Sequence, residues 1–391
     1  MNALARETRY ISAGRDQHQS GRSVNPPIVR ASTFLFNSIE EIETSAETPF
    51  DGAFYGRLGT PTTFSFEKAM SDAEGGFRSI ATASGLSAIV SVLFAFLKQG
   101  DHLLIVDSVY DPVRRFCKRV LEGMGVVISY YSPSLGSNIE QMILPNTRLI
   151  YLESPGSGTF EIQDVRAIVE VAKRHDIVTA IDNTWATPVY FRPIELGVDI
   201  SIHSATKYIC GHSDAVLGVV TTNQQTWSSV RQASQDLGAC AGSEECNLGL
   251  RGLRTLAVRM AQHQSTGLVL AKWLSTRPEV SRVFHPALEG SEGHSHWKRD
   301  FHGSSGLFSV ELGGLSEDSV RRFAAALHLF SIGFSWGGFE SLVLPVYPHK
   351  ARVTSAWTGS SPILRVHAGL ENCDDLVADL SNAFSLVGAS R

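Results

Sequence analysis

The sequence has few cysteines, and none of them pair at the spacing typical of metal binding. Its 391 residues contain five, with no CxxC motif: Cys117, Cys210, Cys240, Cys246 and Cys373. This odd, scattered set argues against a zinc site and against a disulfide framework. The histidine-rich stretch 285–302 also contains several Gly and Ser residues, and we interpret it as a surface loop. We therefore predict no metal site, and free thiols that favour a cytoplasmic protein.

Long apolar segments are also scarce. Residues 1–21 lack the apolar core of a signal peptide. One run, 79–97, is uncharged and approaches the length of a membrane-spanning helix. The first third of this run consists mostly of small or hydroxylated residues and contains a glycine. This composition favours a buried strand, a loop and a buried helix over a membrane-spanning helix. We expect no membrane association.

Charge of one sign is not concentrated anywhere in the chain. The net charge is −5, and acidic and basic residues alternate without long runs. A nucleic-acid surface needs clustered Lys and Arg, so no nucleic-acid partner is expected. Neither GxGxxG nor GxxxxGK[ST] occurs, which argues against a dinucleotide or a nucleoside triphosphate as ligand.

Short apolar runs alternate with amphipathic helical patterns through the middle of the chain. Strands that are apolar throughout and are separated by helices indicate a mostly parallel sheet covered on both faces. The apolar runs are 102–107, 125–131, 148–154, 177–182, 199–204 and 215–222.

Three regions follow from the composition. Residues 1–60 are rich in Gly, Pro, Ser, Thr and Arg and predict an extended arm with one short helix near 38–47. Residues 61–250 form the α/β domain. Residues 251–391 begin with a long helix and continue with fewer strands, among them 306–312 and 362–370, which predicts a smaller α+β domain.

Polar residues cluster where the apolar runs end. In open parallel sheets, ligands bind at the carboxyl ends of the strands. Asp182 ends one run, and Lys207 follows the next run within "SIHSATKYICGHSD". Tyr110 follows a third run. Gly85 opens a helix whose first N–H groups can bind an anion.

Each of these residues also has an ordinary structural explanation. Asp182 could cap the next segment, Tyr110 could pack in the core, and Lys207 could lie on the surface. Ser204 and Thr206, however, add hydroxyls that can hold a phosphate beside Lys207. Together the residues predict a flat ring that carries a phosphate, with its nitrogen facing a carboxylate and its carbonyl facing a lysine. That ligand is pyridoxal 5'-phosphate (PLP).

The segment 182–218, "DNTWATPVYFRPIELGVDISIHSATKYICGHSDAVLG", resembles the trans-sulfuration family of PLP-dependent enzymes. The resemblance extends over nearly the whole chain and includes "YGRLGTPT", "ESPGS", "FSWGGFESLVLP" and "ILRVHAGLEN". Within the family the motifs are most similar to those of bacterial cystathionine β-lyases. The resemblance implies fold type I, the aspartate aminotransferase-like fold, with a mostly parallel seven-stranded sheet.

The resemblance also implies roles for residues at matching positions. Lys207 would carry PLP and move the substrate Cα proton, with Lys207 or Tyr110 as the later proton donor. The other expected cofactor contacts are Asp182 at the ring nitrogen, Tyr110 on the ring, and Gly85, Leu86, Ser204 and Thr206 at the phosphate.

Further roles concern the substrate and a second subunit. Arg365 would bind the substrate α-carboxylate, and Ser335 and Trp336 would line the substrate side. Tyr55 and Arg57 of the arm would reach the active site of a neighbouring subunit. The resemblance thus implies a homotetramer, a dimer of dimers with shared active sites.

The implied activity is α,β-elimination of L-cystathionine, or of a related cysteine S-conjugate, in the amino-acid metabolism that leads to methionine. The products are a thiol, pyruvate and ammonia. "SWGG" favours this β-lyase reaction, whereas "SGLSA" around Leu86 is more similar to γ-acting relatives, namely cystathionine γ-lyase, cystathionine γ-synthase and methionine γ-lyase. The divergent stretch 231–247, with Gln235, leaves open a dedicated cysteine-conjugate lyase of secondary metabolism. A non-catalytic protein with this fold would be expected to lose Lys207 or Asp182.

Overall fold

The computed structural model describes residues 5–15, 22–313, 315–354 and 361–388. Parts of the predicted arm (1–4 and 16–21) and of the predicted C-terminal domain (314, 355–360 and 389–391) lie outside the described residues.

The helices are α1 (Arg6–Ser12), α2 (Ile39–Glu47), α3 (Pro61–Glu74), α4 (Gly85–Phe96), α5 (Asp111–Phe116), α6 (Val165–Arg174), α7 (Thr187–Tyr190), α8 (Trp227–Asp236), α9 (Ser243–Ser275), α10 (His294–Asp300), α11 (Glu317–Ala326) and α12 (Cys373–Gly388). The strands are β1 (Arg78–Thr82), β2 (His102–Val106), β3 (Val127–Tyr131), β4 (Thr147–Glu153), β5 (Val178–Asp182), β6 (Ile200–Ser204), β7 (Gly218–Thr222), β8 (Arg282–Phe284), β9 (Leu307–Glu311), β10 (Ser331–Ile332), β11 (Leu342–Val346) and β12 (Ile363–His367).

The larger sheet has seven strands in the order β1-β7-β6-β5-β4-β2-β3. Strand β7 runs antiparallel to both of its neighbours, and the other pairs are parallel. Each of the six apolar runs coincides with one strand to within a few residues, and β1 is the seventh, so the predicted mostly parallel seven-stranded sheet is confirmed. The uncharged run 79–97 forms most of β1, a loop and α4. No helix in the described part of the chain is long and apolar enough to cross a membrane.

Burial on both faces explains the near-continuous apolar character of the strands inside the sheet. All five residues of β2 are buried, as are four of the five in β6. Helix α6 is amphipathic instead. It buries Val165, Ile168 and Val169 and keeps its basic last turn near solvent. Because β4, β5 and β6 are parallel, their carboxyl ends meet at one edge of the sheet.

The smaller sheet has five strands in the order β10-β11-β12-β9-β8 and is mostly antiparallel. A second hydrophobic core, with Phe308, Phe323 and Phe384, lies between this sheet and helices α11 and α12. The predicted α+β domain is therefore present. Strands β8 and β10 are too short for a sequence pattern, and the proline in β11 weakens its strand signal.

Helix α9 joins the two cores. It begins at Ser243, before the predicted C-terminal region starts, and two glutamates in its first turn complement the positive end of the helix. Leu253 packs in the larger core, whereas Leu270 packs in the smaller one. The predicted boundary at residue 250 therefore lies inside a continuous helix.

The stretch 285–302 contains helix α10 and is not the expected loop. The carboxylate of Asp300 at the end of α10 accepts hydrogen bonds from Arg166, at 2.6 Å, and from Arg299. The indole of Trp297 donates to the carbonyl of Gly303. These tertiary contacts fix a short helix that the Gly- and Ser-rich sequence does not predict.

The N-terminal region contains the predicted helix as α2, whose first turn is capped by the Ser38 hydroxyl. It also contains α1, which the sequence pattern did not indicate. Tyr10 of α1 is buried and donates its hydroxyl to the carbonyl of Pro188. This contact attaches the start of the chain to the α/β domain.

Candidate active site

Lys207 lies just after β6, at the carboxyl edge of the larger sheet. Its backbone N–H donates to the carbonyl of Ser204 at 3.0 Å, which closes a turn between buried Ala205 and Tyr208. The Nζ atom donates to the Oγ of Ser335 at 2.6 Å and lies 5.4 Å from the centre of the Trp336 ring. The amine therefore points toward the smaller domain.

The surroundings of Lys207 favour its neutral form. Burial is the main cause and the charge of Arg365 the second, and together they lower the pKa of Lys207 to about 8. Asp182 opposes the shift. An amine with a pKa near 8 is a far better base at neutral pH than an ordinary lysine.

Asp182 ends β5 and is partly buried. Its Oδ1 atom accepts the backbone N–H of Thr184 at 2.9 Å, so the expected turn-forming role is present together with the burial. Burial raises the pKa of Asp182, and Thr184, His203 and Lys207 act in the opposite direction. A carboxyl group in this position needs a cationic partner to remain ionised.

Glu153 is a site residue to which the sequence reasoning gave no role. It ends β4 and is the register partner of Asp182. Burial, followed by the charge of Asp182, raises the pKa of Glu153 well above its usual value. Its Oε2 atom accepts the backbone N–H of Tyr110 at 2.7 Å. The rule used for Asp182, a carboxylate at the end of an apolar strand, could have found Glu153 within "ESPGS".

Tyr110 lies at the start of α5, and its side chain is 44% exposed, so it is not a core residue. Burial of part of the ring raises the pKa of Tyr110, and the charges of Asp182 and Glu153 raise it further. The phenol is therefore protonated at neutral pH.

The start of α4 approaches the end of β6 closely. A Cβ atom on Gly85 would lie 2.6 Å from the Cβ of Ser204. The Ser84 hydroxyl caps the helix by accepting the N–H of Ser87. The N–H groups of Gly85 and Leu86 belong to the first turn, which has no intrahelical acceptors for them. They lie beside Ser204, where they are free of intrahelical acceptors and suited to an anion.

The Thr206 hydroxyl already makes two hydrogen bonds within the protein. It donates to the carbonyl of Leu217 at 3.1 Å and accepts the N–H of Leu217 at 2.9 Å. The N–H of Ser204 donates to the hydroxyl of Thr184. Leu217 thus fixes the loop that carries Lys207, and an anion here would share the Thr206 hydroxyl with that backbone.

The smaller domain contributes Ser335, Trp336 and Arg365. Arg365 lies on β12 and donates from Nη2 to the carbonyl of Ser335 at 2.8 Å. Burial lowers the pKa of Arg365 to about 10. The guanidinium and the Lys207 amine therefore face the same space between the two domains.

Tyr55 and Arg57 are exposed, and the Arg57 guanidinium lies 5.8 Å from the Tyr55 ring. No hydrogen bond, ion pair or ring contact in the described part of the chain joins either residue to Lys207. The divergent stretch 231–247 packs against the same arm: Ser243 donates its hydroxyl to the carbonyl of Val29.

The model of the Cys/Met metabolism PLP-dependent enzymes matches residues 7–385. The chain belongs to this family. It is 41% identical over 388 residues to a cystathionine beta-lyase of Escherichia coli strain K12, covering 97% of this chain and 98% of the relative. It is also 41% identical over 388 residues to a cystathionine beta-lyase of Salmonella typhimurium, with the same coverage.

A solved structure is also similar. The crystal structure of cystathionine gamma synthase from Xanthomonas oryzae pv. oryzae in complex with aminoacrylate and cysteine has a TM-score of 0.91 and 30% identity. The similarity covers 99% of this chain and all of that one. The fold is thus that of the family, and the family cofactor is PLP.

The residues at the carboxyl edge fit PLP. Gly85 leaves a space that a side chain would fill, next to first-turn N–H groups suited to a phosphate. The partly buried Asp182 lacks a cationic hydrogen-bond partner among the described residues, and a protonated ring nitrogen would supply one. Lys207 offers an amine whose lowered pKa makes more of the neutral, nucleophilic form available to the cofactor aldehyde.

Proposed function

We propose that this enzyme is a PLP-dependent carbon–sulfur lyase that cleaves L-cystathionine, or a related cysteine S-conjugate, by α,β-elimination. The observation that carries the proposal is the position of the Lys207 amine, which has a lowered pKa and lies between Ser335, Trp336 and Arg365. That position allows one group to exchange a proton with a substrate whose carboxylate is bound at Arg365. The named relatives support the same reaction class.

PLP, when bound, stabilises the negative charge that forms at the substrate Cα. Asp182 would hold its ring nitrogen, Tyr110 would lie on its ring, and Gly85, Leu86 and Ser204 would hold its phosphate. Thr206 is a further phosphate contact, through a hydroxyl shared with Leu217.

Lys207 removes the Cα proton with its neutral amine, for which a pKa of about 8 is suitable. As the Cβ–S bond breaks, the sulfur leaves as a thiolate and takes a proton from Lys207 or from the Tyr110 phenol. Both donors carry a proton at that stage, because Lys207 has gained one and the pKa of Tyr110 is raised. Hydrolysis of the remaining three-carbon fragment gives pyruvate and ammonia.

Arg365 supplies the carboxylate site. Its Nη2 already donates to Ser335, which orients the guanidinium and leaves its other N–H groups for a bidentate contact. Trp336 presents a ring to the same space. A small zwitterionic amino acid with a thioether side chain matches these features.

A substrate panel tests the function. We expect pyruvate from L-cystathionine and L-cystine, and little 2-oxobutyrate from L-cystathionine. Excess 2-oxobutyrate would instead establish a γ-acting enzyme, which "SGLSA" and the similarity to a cystathionine γ-synthase favour. Turnover of other cysteine S-conjugates but not of cystathionine would indicate a dedicated conjugate lyase.

The oligomer belongs to the same proposal: a homotetramer built from two dimers with shared active sites. The arm exposes apolar side chains that a single chain leaves in water, including Leu35, which is 94% exposed, and Ile39. Tyr55 and Arg57 lie on this arm and would reach the phosphate site of a neighbour.

Mixed subunits test this arrangement. Lys207→Ala and Arg57→Ala chains should each be inactive, and co-expression should restore activity because one site of each mixed dimer is intact. If a confirmed mixed dimer is inactive, the proposal that the two subunits share their active sites is wrong. Light scattering after size-exclusion chromatography distinguishes dimer from tetramer.

The compartment proposed for the enzyme is the cytoplasm. All five cysteines are free thiols, and Cys117 and Cys246 are fully buried. Free thiols are typical of a reducing compartment. Fractionation of cells that express the protein at its natural level would test this.

A further inference from the structure

Strand β12 directs two side chains to one turn of the smaller domain. Arg365 and His367 are two residues apart on β12 and therefore lie on the same face. Arg365 donates to the carbonyl of Ser335 at 2.8 Å. The backbone N–H of Gly337 donates to the Nε2 of His367 at 3.0 Å. The turn 335–337 is thus held at both ends by one strand.

The backbone of this turn is unusual and packs directly on Lys207. Ser335 has a φ of 76° and Gly337 a φ of 87°, both in the left-handed region. A Cβ atom on Gly337 would lie 2.8 Å from the N of Tyr208 and 3.1 Å from the Cα of Lys207. A non-glycine residue such as Ser335 adopts this conformation when its surroundings impose it. Contacts to the turn therefore decide where the Ser335 hydroxyl lies.

His367 is a buried imidazole held in a fixed position, where it can accept the hydrogen bond from the Gly337 N–H. Its side chain is 1% exposed, and its ring lies 5.3 Å from the His263 ring and 5.8 Å from the Tyr208 ring. The N–H of Gly337 can only donate, so Nε2 accepts it in the tautomer with the proton on Nδ1, a buried atom without a hydrogen-bond partner among the described residues. The carbonyl of Gly338, at 3.3 Å from Nε2, is the more distant neighbour.

The surroundings keep His367 neutral. Burial lowers its pKa well below the usual value, and the charges of His263, Arg365 and Lys207 lower it further. The carbonyl of Gly338 acts in the opposite direction, with an effect on the pKa larger than that of Arg365 or of Lys207. His263 itself is directed elsewhere, with Nδ1 at 2.8 Å from the carbonyl of Ala368. His367 is therefore the imidazole of this buried pair that contacts the turn.

We propose that His367 is a positioning residue: by accepting the Gly337 N–H it fixes the turn that places the Ser335 hydroxyl against the Lys207 amine. Its role is indirect, since the hydrogen bond from Lys207 goes to Ser335. The consequence for the reaction rests on the proposed function of Lys207 as the base. The consequence for the turn does not depend on that function.

Two substitutions separate the hydrogen bond from the packing. His367→Leu removes the acceptor and keeps an apolar side chain, whereas His367→Gln retains an oxygen that can accept the Gly337 N–H. In the holoenzyme we expect the peptide covering residues 334–340 to exchange amide hydrogen at least about tenfold faster in His367→Leu. We also expect kcat for pyruvate release to fall at least about tenfold, because the amine is misplaced. His367→Gln should restore both to within a few-fold of wild type.

His285 provides the matched control. It is a buried imidazole of the same domain whose Nδ1 also accepts a backbone N–H, that of Ala287, at 3.2 Å. His285→Leu should lower the unfolding temperature to a similar extent and leave both exchange at 334–340 and kcat near wild type. The inference is overturned if His285→Leu reproduces both losses. It is also overturned if folded His367→Leu keeps wild-type exchange and kcat, or if folded His367→Gln fails to restore them.

The two proposals can fail independently. If the wild-type enzyme releases no pyruvate from any thioether, the proposed function is wrong. The exchange measurements would still decide whether His367 fixes the turn.

Discussion

Asp182 and Glu153 end neighbouring parallel strands as register partners, and burial raises the pKa of both carboxyl groups. The two groups differ in their partners. Asp182 has Thr184, His203 and Lys207 to favour its ionised form, whereas the first influence on Glu153 after burial is the unfavourable charge of Asp182. We therefore predict that one proton in this pair resides on Glu153 and that Asp182 carries the charge.

This assignment predicts opposite results for the same chemical change. Glu153→Gln should keep kcat within a few-fold of wild type, because Gln mimics a protonated Glu and can still accept the Tyr110 N–H. Asp182→Asn should lower kcat at least about 100-fold, since a preorganised charge at the reaction centre is lost. Steady-state pyruvate release measures both, and equal losses in the two variants would refute the assignment.

Lys207→Ala is expected to abolish pyruvate release and the visible absorption band of the lysine-bound cofactor, because both require the amine. Lys68→Ala is the matched control, since Lys68 is exposed and pairs with Asp72 on the surface of α3. If Lys207→Ala kept either signal, another group would have to bind the cofactor.

The pH dependence of kcat should report Lys207. Its pKa is lowered to about 8, so the neutral base predominates above that pH and is lost as the pH falls. We expect kcat to rise with pH through a midpoint near 8. Removing the positive charge of Arg365 with Arg365→Leu should move this midpoint upward, since that charge is the second cause of the lowered pKa. A midpoint that moves downward would contradict this electrostatic coupling.

Gly85→Ala should weaken cofactor binding. The added Cβ would lie 2.6 Å from Ser204, and overpacking of this kind costs about 1–3 kcal/mol, which corresponds to roughly a tenfold loss of affinity or more. Gly123→Ala is the control, because its Cβ would meet no atom within 4 Å. Fluorescence titration of the apoenzyme with PLP gives both affinities, and equal values for the two variants would remove Gly85 from the phosphate site.

Much of the fold was accessible from sequence patterns. The six apolar runs predicted six strands of the larger sheet, because parallel strands buried on both faces must be apolar throughout. The antiparallel direction of β7 was not accessible, since an apolar run has no direction. Helix α10 was missed because buried Asp300 at its end pairs with Arg166, and an ion-pair partner distant in sequence leaves no local signal.

Some features of the candidate site could also be predicted from the sequence, and others only from the structure. The strand-end rule brought Asp182 and Lys207 to one edge of the sheet from the sequence alone. It did not indicate that Glu153 adjoins Asp182 or that Ser335 accepts the Lys207 hydrogen bond. The roles assigned to these side chains in binding and catalysis stay predictions for the experiments above.

By itself, the sequence determined the type of sheet, the edge that carries the candidate site and the cofactor, because these depend on local periodicity and on motifs along a continuous chain. The tertiary structure decided the protonation states and the position of the Lys207 amine. Those properties depend on burial, on the charges of Arg365 and Asp182 and on the hydrogen bond to Ser335. These residues lie far apart in the chain and meet only where the two domains pack together.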